Sequence, residues 1–137
     1  MSNHKRVLII DDDADFRAVV SALLASEGYD VVEASSGHDG LAHIGEIQPD
    51  LVIVDVMMES AAEGYGVSQA LRFQPQFARL QDVPIVMISS IQESPDELFA
   101  RASEVGMIRP DRYLTKPLDV PRFLATVKQL APPAVAT

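Results

Sequence analysis

Five short runs rich in β-branched and apolar residues recur along the chain, each separated from the next by a stretch with helical spacing. The runs are Arg6–Ile10, Asp30–Ala34, Leu51–Val54, Pro84–Ser89 and Arg112–Thr115. Between them, Phe16, Val20, Leu23 and Leu24 fall at i, i+4, i+7 and i+8, one face of a helix. Leu98, Ala102 and Val105 repeat the pattern. So do Val120, Phe123, Leu124 and Val127, with Asp119 placed to cap that helix. The stretch 38–47 keeps an apolar edge in Leu41 and Ile44, although Gly40 and Gly45 weaken it as a helix. The stretch 65–80 carries Val67 and Leu71 before Pro75 interrupts it. A strand–helix unit repeated five times predicts an α/β fold. Runs 51–54 and 85–88 are continuously apolar, as in strands covered on both faces, so the sheet is parallel with helices on both sides.

The length of 137 residues suits one domain, and 47% apolar residues suffice for one core. Eleven basic against 20 acidic residues give a net charge of −9, which argues against a domain that binds a phosphate backbone directly. Without cysteine, a disulfide scaffold, a thiol nucleophile and a zinc–cysteine site are excluded. No apolar run approaches the ~20 residues that span a bilayer, and residues 1–10 do not form a signal peptide, so a cytoplasmic location is expected. The closing Ala131-Pro132-Pro133-Ala134-Val135-Ala136-Thr137 reads as a disordered tail or the start of a linker, leaving 1–130 as the domain.

Parallel sheets of this kind bind ligands beyond the carboxyl ends of their strands. Run 1 is followed by Asp11, Asp12 and Asp13, and run 3 by Asp55. Run 4 ends in Ser89-Ser90 and run 5 leads into Lys116-Pro117. If runs 1 and 3 are neighbours, Asp11, Asp12 and Asp55 converge, and their mutual repulsion calls for a hard cation. With no His or Cys at these positions, Mg²⁺ or Mn²⁺ is favoured over zinc. Taken singly, each feature has an ordinary reading: an acidic run as a turn or helix cap, serines as caps, a lysine as a surface charge. Met57 and Met58 read as packing residues, and His4, His38 and His43 take no role.

Together, Val7-Leu8-Ile9-Ile10-Asp11-Asp12, Pro49-Asp50-Leu51-Val52-Ile53-Val54-Asp55, Pro84-Ile85-Val86-Met87-Ile88-Ser89-Ser90 and Tyr113-Leu114-Thr115-Lys116-Pro117 resemble the response-regulator receiver domain, the CheY-like phosphoacceptor of two-component signalling. The likeness runs from residue 5 to about 130. It implies a flavodoxin-like, doubly wound five-stranded parallel sheet of order 2-1-3-4-5 with five helices. It further implies that Asp55 accepts a phosphoryl group from a sensor histidine kinase or a His-phosphotransfer protein, as one step of a phosphorelay. Asp11, Asp12, Asp55 and the backbone carbonyl of Met57 would hold Mg²⁺. Lys116, Ser89 and the Ser90 N–H would bind the phosphoryl group, Tyr113 would act as the switch aromatic, and the bond before Pro117 would be cis. Met57 and Ile91 stand where similar domains tune the hydrolytic water, and both being apolar implies slow self-dephosphorylation. The surface of helix 4, strand 5 and helix 5, roughly 95–130, would carry the output and any homodimer contact.

This chain departs from the family pattern in three places. Glu59 stands where Pro is usual, in a loop 56–66 about one residue longer than usual. The approach 106–112 is longer, and 73–83 is extended. Two other readings compete. A haloacid-dehalogenase-like phosphatase would use Asp11-x-Asp13 with Asp11 as nucleophile, and a pseudo-receiver would be an interaction module without phosphorylation. A flavodoxin-like electron carrier fails because triple aspartate repels a phosphate. The output domain or protein and the kinase are not named by these residues, and either a stand-alone receiver or a piece of a longer regulator is expected.

Overall fold

A computed structural model describes residues 4–55, 61–90 and 112–133, without the side chains of 61–65 and of Ser90. Five strands form one parallel sheet: β1 (Arg6–Ile10), β2 (Asp30–Ala34), β3 (Leu51–Asp55), β4 (Ile85–Ser90) and β5 (Arg112–Lys116). Their order is β2-β1-β3-β4-β5, the expected arrangement. Three strands run one residue further than their apolar runs, because Asp55, Ser90 and Lys116 are polar yet still part of the sheet.

Strand alternation divides the core in two. Val7, Ile9, Leu51, Ile53, Val86, Ile88 and Leu114 face helix α1 (Ala14–Ser26) and the C-terminal helix (Val120–Leu130). Leu8, Ile10, Val52, Val54, Ile85 and Met87 face α2 (Gly37–Ile47) and α3 (Ala61–Phe73). Val20 and Leu24 of α1, and Phe123 and Val127 of the C-terminal helix, are the buried residues of the apolar faces read from the sequence. Each such side chain contributes roughly 1.5–3 kcal/mol on full burial. The helix expected over Leu98, Ala102 and Val105 lies outside the described residues.

Two local features explain departures from the sequence pattern. Helix α2 forms despite its glycines because Gly40 packs on the sheet: a Cβ there would meet Ile10 Cδ1 at 2.6 Å. Helix α3 begins at Ala61, ahead of the apolar spacing, and ends at Phe73. Pro75 then opens a separate 3₁₀ turn, Pro75–Leu80, whose Phe77 and Leu80 pack against the α2–α3 side of the core. Proline fits this first-turn position, since its missing N–H would have no helical partner there.

Candidate functional site

The register of the sheet brings the acidic residues together. Ile10 pairs with Val54, so one step further Asp11 stands beside Asp55. Alternation sends both carboxylates to the α1 face, in phase with Ile9 and Ile53. Lys116 is in phase with Leu114 and projects to that same face from β5. The three side chains therefore meet by pleat parity on the α1 face of the sheet.

Asp11 and Asp55 are 1% and 5% exposed. Lys116 Nζ lies 3.1 Å from Asp11 Oδ2 and 3.3 Å from Asp55 Oδ2, one ammonium shared by two carboxylates. Asp12 is exposed, and carboxylate oxygens of Asp11, Asp12 and Asp55 lie within 4.8 Å of one another. Burial, and then the Asp55 charge, hold the Asp11 carboxyl above the usual carboxylate range. The Asp13 N–H (2.9 Å) and Lys116 pull against this shift without reversing it. Burial pulls Lys116 down, but the hydrogen bond to Asp11 and the Asp55 charge outweigh it and hold the ammonium above its ordinary value.

The acidic run after β1 divides its labour. Asp13 caps α1, its Oδ1 accepting from the Asp15 and Phe16 N–H groups at 3.0 and 3.2 Å. Asp11 and Asp12 are left to the cluster. Likewise Ser36 after β2 is structural, since its Oγ accepts from the Asp39 N–H as the cap of α2. Sequence reasoning missed two neighbours. Arg17 donates to the Asp11 carbonyl at 2.5 Å and to Glu33 Oε1 at 3.0 Å, tying the loop to β2. The Phe16 ring lies under Lys116, with Nζ 4.1 Å from its centroid. Helical spacing marked Phe16 only as an apolar face, and no sequence signal couples it to a lysine 100 positions on.

Of the remaining expected site residues, Ser89 and Tyr113 sit on the other parity. Ser89 is 1% exposed and pairs in register with Thr115. Two positions back, Met87 pairs with Tyr113, which packs half-buried against the α2–α3 side of the core. Ser89 and Tyr113 therefore share one face on adjacent strands. Ser90 pairs with Lys116 through the backbone. The Lys116–Pro117 peptide bond is cis. Met57 and Ile91 lie outside the described residues, as do 56–60 and the approach 106–111, while 61–66, expected as loop, form the first turns of α3.

The sequence model of the response regulator receiver domain matches residues 7–128. The DNA-binding dual master transcriptional regulator RpaA of Synechocystis sp. is 38% identical over 125 residues, 91% of this chain and 48% of RpaA. Protein PilG of Pseudomonas aeruginosa is 32% identical over 131 residues, 96% of this chain and 90% of PilG. The chain thus spans about half the length of RpaA but nearly all of PilG. The chemotaxis protein CheY4 of Vibrio cholerae has the same fold, with a TM-score of 0.75 at 28% identity over 92% of this chain and 98% of CheY4. Sheet order, clustered aspartates and likeness in sequence agree, and the chain belongs to the response regulator receiver domain family.

Proposed function

We propose that this receiver takes a phosphoryl group onto Asp55 from a phosphohistidine of a sensor kinase or His-phosphotransfer protein. The observation that carries the reading is one ammonium shared by two buried carboxylates beside a third. Three oxygen donors, with no nitrogen or sulfur ligand beside them among the described residues, suit Mg²⁺, with Asp11, Asp12 and Asp55 as its holders and the Met57 carbonyl as a further one. When bound, the metal would neutralise phosphoryl charge.

The chain's own residues supply the rest. An Asp55 carboxylate oxygen attacks phosphorus, a P–O bond forms, and the P–N bond to the donor imidazole breaks with its electron pair staying on nitrogen. Lys116 moves its attraction from the carboxylates to the transferring phosphoryl oxygens. Ser89 donates its hydroxyl and Ser90 its N–H to the new acyl phosphate. Because Ser89 and Tyr113 share one face of β4 and β5, a shift of Ser89 toward Asp55 opens space that Tyr113 can fill. That motion carries the signal to the surface over 95–130, which serves output and any homodimer. The receiver occupies 1–130 and acts in the cytoplasm, with 131–137 a tail or linker. At −9 overall it makes no direct contact with nucleic acid. The Asp11-x-Asp13 phosphatase reading is disfavoured because Asp13 is committed to capping α1.

Intact mass after incubation with Mg²⁺ and acetyl phosphate tests the reading, wild type beside Asp55→Asn. A single phosphoryl adduct that needs Mg²⁺ and vanishes in the variant is expected. No adduct under any condition would make the chain a pseudo-receiver.

A further inference from the structure

We infer that Phe16 is a positioning residue for phosphoryl transfer, its ring face holding the Lys116 ammonium against the aspartate pair. This rests on the receiver reading above and assigns a part to a residue outside the carboxylate–lysine set.

Three observations carry it. The ammonium lies 4.1 Å from the ring centroid and 3.1 and 3.3 Å from the two carboxylates, so ring and anions grip one charge. An ammonium at this range is attracted by the negative face of the ring. The ring is itself fixed. The Phe16 N–H is bound by the Asp13 cap, and the side chain packs on the α1 side of the core. Finally, Lys116 needs a holder. Lysine is a point charge on a flexible four-carbon stem, and this side chain is 25% exposed at the rim of the site.

The ring differs from the carboxylates in what can take it away. Asp11 and Asp55 would be shared between Lys116 and any divalent cation they held, and attack on phosphorus uses up one Asp55 oxygen. A neutral ring binds neither metal nor phosphorus. Phe16 therefore keeps its hold while both anionic partners are being reassigned. A leucine would fill similar apolar space without a π face, and that contrast separates holding from packing.

The test replaces Phe16 by mono-, di- and trifluorophenylalanine, which drain the ring face with little change in shape, beside Phe16→Leu and Phe16→Trp. The chain has three lysines, so the Lys116 side-chain methylene signals can be assigned by NMR. In the unmodified protein they are expected upfield from ring current, with and without Mg²⁺. Phe16→Leu should abolish that displacement. Saturable phosphorylation by acetyl phosphate should slow stepwise with each fluorine, to roughly fivefold in Phe16→Leu, in the maximal rate rather than the half-saturating concentration. Phe16→Trp should restore it. Equal rates across the fluorine series, or Lys116 signals unshifted or released by Mg²⁺, would overturn the inference. Failure of the unmodified protein to take any phosphoryl group would instead sink the receiver reading, and the NMR signals would still decide whether the ring holds the lysine.

Discussion

The two ends of the sheet both carry acidic side chains, but they treat them in opposite ways. At the amino end Asp50 accepts from the Arg6 N–H at 2.8 Å, Asp30 meets His4 at 3.4 Å, and Glu27 meets Lys128 at 2.5 Å. Each of these three acids has a partner of its own and access to water. At the carboxyl end two buried carboxylates share one ammonium, with a third carboxylate within reach. Exposed pairs contribute little in either direction. A buried excess of negative charge is costly unless further positive charge offsets it. Acid at the amino end fastens loops, and acid at the carboxyl end stores a demand for positive charge.

The largest expected effect comes from removing the shared cation. Lys116→Met should lose about 3 kcal/mol in metal-free urea unfolding, the low end for breaking a buried pair because the lysine is partly solvated. Added Mg²⁺ should return part of the loss. The sign with pH is fixed by Asp11, whose carboxyl is held above its ordinary value by burial and then by Asp55. As pH falls, that group takes a proton and the repulsion eases, so the deficit should shrink in acid and grow toward neutrality. A variant as stable as the parent without metal would erase the contrast between the two ends.

Asp12→Asn comes next. Its carboxylate is exposed, so folding should be unchanged, while Mg²⁺ affinity read by calorimetry should fall about tenfold, equivalent to about 1.4 kcal/mol. Unchanged affinity would remove Asp12 from the metal set. Asp50→Ala reverses the pattern at the other end. It should lose about 1 kcal/mol of stability, the usual worth of one hydrogen bond, and leave Mg²⁺ affinity and phosphoryl uptake as they were. A change in uptake would mean that the amino end also serves the site.

How much of this could be read from the chain follows the same division. Strands β1 and β3 were legible because burial on both faces leaves nearly unbroken apolar runs, whereas the strand order came from the family resemblance and not from the repeated strand–helix unit. The ends of β3, β4 and β5 were misjudged by one residue because the polar groups of the site are themselves within the sheet. Helix α2 looked weak because propensity penalises Gly40, whereas packing against Ile10 demands it. In the run Asp11-Asp12-Asp13, composition could not tell the cap from the cluster, since that depends on where α1 begins. Phe16 was invisible as a site residue because its partner comes from β5, and Arg17 because it ties the Asp11 carbonyl to Glu33 of β2.

The smallest effect sharpens the contrast, because it concerns a single titratable group that has one structural task. At the amino end the Tyr29 hydroxyl donates to the Ala131 carbonyl at 2.6 Å, joining the turn after α1 to the end of the C-terminal helix across 102 positions. Burial, and then the Glu27 charge, hold this phenol above its ordinary value of 10.0. A group whose folded value is raised adds stability that is complete below the unfolded value and fades as pH rises through the folded one. Tyr29→Phe should therefore lose somewhat under ~1 kcal/mol at neutral pH, the cost of leaving one carbonyl without its donor. The gap between parent and variant should close only above pH 10, as the parent's phenol ionises and ceases to donate. Thermal unfolding of both proteins across that range would show it. A gap that instead closed in acid would implicate the carboxylates, and would mean that the two ends are coupled through the helix that joins them.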